Sequence, residues 1–140
     1  MWCKSLVAAW KRGRDMKVAV LQAINELSVS EVPEPKCGSG DILVRVEACM
    51  VCGTDLKIYK VGHGRLSLPH VLGHEISGTV VQAGDRVVDF KVGDRIVVAP
   101  AGVGCGKCYY CKAELDNVCD NRRFMGFEWN GGFAGLNVAT

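Results

Sequence analysis

Four of the chain's cysteines, Cys105, Cys108, Cys111 and Cys119, are spaced C-x2-C-x2-C-x7-C. Thiolates with two residues between them face one point from a tight loop. The longer gap, through Ala113 to Val118, returns the chain by a short turn or helix for the fourth donor. A tetrahedral zinc ion takes four such ligands, with sulfur at about 2.3 Å. Four thiolates leave no open position, so a site of this kind holds structure and does not catalyse. Lys107 and Lys112 stand beside the ligands and offset part of their negative charge. The alternative for the same residues is two local disulfides or free thiols.

Cysteine usage also bears on compartment. The chain has 8 cysteines in 140 residues, a density that a secreted disulfide scaffold would share. Its start, however, places a short apolar stretch before a basic cluster (Lys11, Arg12, Arg14), the reverse of a secretory signal. The reading is therefore a cytoplasmic protein, where clustered cysteines bind metal more often than they pair. No apolar run approaches the roughly 18 residues of a membrane span. A formal net charge of +2 carries no electrostatic signal for nucleic acid or an anionic membrane as partner.

From Met16 the pattern is that of short strands. Met16–Leu21, Glu26–Val32, Ile42–Ala48, Glu75–Gln82 and Asp94–Ala99 are Val/Ile-rich or alternate apolar and polar, as half-buried strands do. Gly 17 exceeds the usual share of about 7%, and the glycines punctuate these runs as tight turns. Thr54–Tyr59 reads as one or two helical turns with Thr54 or Asp55 as cap. A Gly-rich loop (Val61–Ser67) follows, and a last short strand comes after Gly131-Gly132-Phe133. The division expected is an N-terminal extension (1–15) and one mainly β domain (16–140) carrying a cysteine lobe at 102–122. No G-x-G-x-x-G follows a strand, so no dinucleotide fingerprint lies in the chain.

A second constellation joins Cys52-Gly-Thr54-Asp55 to Gly73-His74-Glu75. A catalytic zinc needs three protein ligands and one open position. Cys52 offers a thiolate and His74 a neutral imidazole. Asp55 is one helical turn from Cys52 and could accept the free N–H of His74, as carboxylates behind metal-bound histidines do. Glu75 could steer the metal's field or ligate it transiently, and Thr54 offers a hydroxyl for proton transfer. Taken alone, Cys52 and His74 are two residues and not a site, and they read more readily as a buried cysteine and a satisfied histidine. His63 and His70 lie in a polar loop and read as surface residues, and Cys3, Cys37 and Cys49 as free thiols, Cys49 the most buried.

The run Gly73-His74-Glu75-Ile-Ser-Gly78-x5-Gly84-x2-Val87 resembles the zinc signature of the medium-chain alcohol dehydrogenases. Cys52-Gly-Thr-Asp55, Val92-Gly-Asp-Arg95 and the four-cysteine lobe recur in that family in the same order, and Cys-Gly-Thr-Asp before Ile-Tyr resembles the threonine and polyol enzymes. The resemblance covers about residues 16–135. It implies a GroES-like, partly open β-barrel with short helices, and NAD(P)-dependent oxidation of a small-molecule alcohol by a homo-oligomer. It implies Cys52 and His74 as catalytic zinc ligands, Thr54 in the proton relay, and a structural zinc on Cys105, Cys108, Cys111 and Cys119. Three departures stand out. Lys57 replaces a relay histidine. Gly135-Leu136 replaces a Glu-Tyr pair, which leaves the path of the tail open. Members also continue through a third zinc ligand and a Rossmann domain, so the expectation is an amino-terminal catalytic domain, truncated or expressed as a fragment. The rival readings are a zinc-ribbon-like binding module and a structural barrel with no metal at Cys52 and His74.

Overall fold

A computed structural model of the chain describes residues 15–98 and 102–139. The proposed extension lies outside the described residues, with Cys3, except that Asp15 is already the first residue of a strand. The elements are β1 (Asp15–Ala23), β2 (Glu26–Pro33), β3 (Ile42–Cys49), α1 (Gly53–Val61), β4 (His70–Val71), β5 (Ile76–Ala83), β6 (Arg95–Val98), α2 (Tyr109–Lys112), a 3-10 turn (Asp116–Val118) and β7 (Leu136–Ala139). The chain is mainly β, as its Val/Ile-rich runs require.

Two antiparallel sheets, ordered β2-β1-β4 and β6-β5-β3-β7, form the frame and do not close on one another. Each sheet buries one small apolar cluster. Leu21, Ile58 and Leu72 form the first, with Tyr59, Leu66, Leu68, Phe127 and Phe133 packed around it. Ile42, Val44 and Val80 form the second, with Val87 and Ile96. Full burial of side chains such as Leu21, Ile58 and Ile76 stabilises the fold by about 1.5–3 kcal/mol each.

The segment from Gly131 to Ala139 sews the sheets together. Gly131 and Phe133 N–H groups donate to Val71 and Leu72 carbonyls, and Ala19 N–H donates to Phe133 O. Gly135 N–H then donates to Lys17 O while its own carbonyl accepts from Val46 N–H, and β7 continues along β3 from Arg45 to Ile42. The tail after Gly135-Leu136 is thus an ordinary edge strand. Helix α1 is tied to the β1–β2 hairpin at Asn25, whose N–H donates to Tyr59 O and whose carbonyl accepts the Tyr59 hydroxyl.

Strand ends fall within two residues of the sequence reading, except that Ala99 lies outside the described residues. Strand β4 was not foreseen: two residues carry no periodicity. His70, read as a surface residue, opens that strand and pairs with Leu21. Its Nε2 is buried without a partner, and burial holds its imidazole below the usual range.

Gly78 sits mid-strand in β5, where a Cβ would lie 2.1 Å from Arg45 O and 2.8 Å from Val44 Cγ1. Only backbone fits there. Gly78→Ala is expected to cost about 1–3 kcal/mol by forcing β3 and β5 apart. The measurement is a urea unfolding curve, with the midpoint lowered and the slope unchanged.

Candidate metal centres

In the cysteine lobe, Val103 and Arg123 exchange backbone hydrogen bonds (2.7 and 3.0 Å) and close its neck. The short helix lies at Tyr109–Lys112, earlier than the 113–118 stretch read from the sequence, where a single 3-10 turn stands instead. Cys108 caps α2, its sulfur accepting from Cys111 N–H at 3.5 Å, and Cys105 N–H donates to Cys119 Sγ at 3.4 Å. The four sulfurs all lie within 4.8 Å of one another. The Cys105–Cys111 separation is 4.0 Å and the Cys108–Cys119 separation 3.7 Å. Tetrahedral bonds of about 2.3 Å place sulfurs about 3.8 Å apart, so the donor set fits a zinc ion. Disulfides, at about 2.05 Å, do not fit, and all four cysteines are free.

The lobe's electrostatics point the same way. Backbone N–H groups of Lys107 and Cys108 pull the Cys105 thiol down to about 6. Desolvation pushes Cys111 up to about 12, with Cys108 and Cys119 adding to the shift. Four crowded sulfurs cannot all ionise unaided, and a dication removes that conflict.

The second centre is built on the start of α1. Cys52 is the N-cap, its sulfur accepting from Thr54 N–H at 3.3 Å, while the Asp55 carboxylate accepts from Cys52 N–H at 3.0 Å. The cap is therefore Cys52, not Thr54 or Asp55; Asp55 supplies the reciprocal half of a capping box. The other Asp55 oxygen accepts from Gly73 N–H at 3.3 Å, reaching across to the turn that presents His74. Gly73 has φ +94, and a Cβ there would meet Cys49 Sγ at 2.7 Å and Phe133 Cδ1 at 2.9 Å. Only glycine can precede His74. Cys49, beside it, is desolvated, and its thiol rises to about 11.

This frame brings Cys52 Sγ to 3.4 Å from His74 Nε2. Metal bonds of about 2.3 and 2.0–2.1 Å at a tetrahedral angle imply about 3.6 Å, so the pair also fits one zinc ion. His74 Nδ1 faces Asp55 Oδ1 at 3.7 Å, too long for the hydrogen bond expected between them. Cys52, Asp55 and His74 form a group of donors within 4.8 Å of one another, and Glu75 is not a member. Thr54 and Lys57 are exposed on the first turns of α1. Phe127 is tilted toward His74, ring centroids 6.3 Å apart, and makes an edge contact of 5.2 Å with His63. The sequence reading missed Phe127 because an aromatic in a loop carries no periodic signal.

The profile of the alcohol dehydrogenase GroES-like domain family matches residues 38–140. The chain belongs to this family. An L-threonine 3-dehydrogenase of Thermococcus kodakarensis is 43% identical over 107 residues, which cover 74% of this chain and 30% of the relative. An NAD-dependent alcohol dehydrogenase of Sulfolobus acidocaldarius is 38% identical over 125 residues, covering 84% and 36%. A cobalt- and zinc-bound thermostable alcohol dehydrogenase from Pyrobaculum aerophilum superposes with a TM-score of 0.80 at 27% identity, covering 90% of this GroES-like domain and 39% of that chain. The chain thus spans about a third of the length of these alcohol dehydrogenase relatives. No helix among its described residues is long and apolar enough to cross a membrane.

Cys108→Ser is expected to lower the metal content of the purified domain by one ion per chain and to open residues 102–122 to protease, because an ion held on these sulfurs would contribute folding energy. Elemental analysis with limited proteolysis checks it. Retention of both metal and resistance would reject the tetrathiolate site.

Proposed function

We propose that this chain is the zinc-binding catalytic domain of an NAD(P)-dependent dehydrogenase acting on a small-molecule alcohol, of the polyol or threonine type. The 3.4 Å approach of Cys52 Sγ to His74 Nε2, held by a buried carboxylate, supports this reading most directly. Cys52 and His74 would hold the catalytic zinc, and Cys105, Cys108, Cys111 and Cys119 a structural one. Bound at the first site, zinc supplies Lewis acidity toward an alcohol oxygen.

The chain's own residues set the stage for that chemistry. Cys52 sits at the N-terminal end of α1, where the helix dipole places partial positive charge beside its sulfur. Asp55 fixes the turn that carries Cys52 and the turn that carries His74, so both ligands face one point without rearrangement. Thr54 Oγ1 is the group that takes the alcohol proton and passes it toward solvent. Glu75, next to His74 in the chain, adds negative charge beside the ligands. Hydride transfer needs a nicotinamide held against the substrate carbon. A segment beyond these 140 residues would supply that hold, along with a third ligand, since no pyrophosphate-binding Gly-rich turn occurs here.

Cobalt(II) titrated into the reduced chain should fill two classes of site, the tighter one on the four cysteines. Cys52→Ser and His74→Ala should each remove the weaker class and its sulfur-to-cobalt absorption, leaving the tighter class intact. An unchanged second class in both variants would overturn the assignment. NADH fluorescence should show no saturable change with this chain, whereas the longer protein should reduce NAD(P) in the presence of an alcohol. Micromolar binding by the 140-residue chain would move the cofactor site into it.

A further inference from the structure

Two loops meet beside His74, joined by one carboxylate. Glu128 Oε1 accepts from Arg65 Nη2 at 2.6 Å and from Arg65 Nε at 3.0 Å, and Glu128 Oε2 accepts from Phe124 N–H at 2.6 Å. Arg65 Nη2 also donates to Arg122 O at 2.8 Å. The Arg65 guanidinium lies 5.3 Å from the Phe124 ring centroid, and that of Arg122 lies 4.5 Å from it. Both oxygens of Glu128 and the fork of Arg65 are therefore engaged in fastening the 63–66 turn to the 124–128 turn. His63 is carried in the same bracket, its Nδ1 accepting from Arg65 N–H at 3.3 Å.

The side chain held inside this bracket is Phe127. It packs at 6.1 Å from Phe124, at 5.2 Å from His63 and at 6.3 Å from His74. The Arg65 and Glu128 side chains are 48% and 24% exposed, and an ion pair so open to water adds little stability. What a forked guanidinium–carboxylate contact does supply is fixed geometry.

We propose that Arg65 and Glu128 are positioning residues that hold Phe127 as an aromatic wall against His74. This rests on the reading of Cys52 and His74 as the catalytic centre. The wall favours alcohols that lay a C–H face on it, and the Arg65 charge is spent inside the bracket and is not offered to a substrate carboxylate.

The chain has 3 histidines, so the imidazole Hε1 protons give three resolvable NMR signals that report the nearby phenylalanine ring directly. Phe127→Leu, in the chain carrying zinc on its four cysteines, should displace the His63 and His74 signals. Arg65→Gln and Glu128→Gln should move both signals toward the Phe127→Leu positions while leaving the urea midpoint near wild type. Arg65→Lys, which keeps the charge and loses the fork, should behave as Arg65→Gln does. If the Arg65 and Glu128 variants keep wild-type signals while Phe127→Leu shifts them, the bracket does not position the wall. If Phe127→Leu shifts neither signal, there is no wall to position. Neither readout involves an ion at Cys52 and His74, so failure of the zinc assignment and failure of this one are separable. In the longer protein, Arg65→Gln should raise KM for the alcohol several-fold with kcat little changed, and a fall in kcat at constant KM would also overturn it.

Discussion

One buried carboxylate organises the functional end of this domain. Asp55 is 4% exposed, and each of its oxygens is taken by a backbone N–H, one at Cys52 and one at Gly73. Removing such a carboxylate would leave two donors unpaired, and the buried one at Gly73 would cost about 1–3 kcal/mol. The helix start and the strand-side turn are distant in sequence, and Asp55 makes them one structural unit. The distance between Cys52 and His74 follows from it.

Much of this was legible in advance. The strands showed because Val/Ile runs bounded by Gly and Pro have few other solutions, and the four-cysteine spacing carried its own geometry. Cys52, Asp55 and His74 were legible as a set through the family resemblance; by spacing alone they were not. The capping arrangement was misread because serine, threonine and aspartate are the usual caps, and here a sulfur holds that position. His70 was misplaced for a related reason. A polar loop residue looks exposed until a two-residue strand draws it beneath the 126–129 turn. Phe127 and Glu128 were invisible, since contacts between two irregular loops leave no trace in periodicity.

The two metal-type centres differ in their supporting structure. The cysteine lobe has only one buried residue in its 105–119 loop, Cys119, and displays Tyr109, Leu115 and Val118 at its surface. Its shape is drawn from its sulfurs. The Cys52–His74 pair stands instead on the cluster of Leu21, Ile58 and Leu72, with a helix behind one ligand and a sheet behind the other. Such a site is set by the protein before any ligand arrives.

The sulfur of Cys52 serves the helix as a hydrogen-bond acceptor and keeps further lone pairs. In the role proposed for it, the sulfur would bind an ion while still tethered by Thr54 N–H, so loss of the ion would leave no collapsed loop to reopen. The socket would empty and refill while the domain stays folded. Its occupancy in a cell would then follow the supply of free ion, independently of the folding history of the chain.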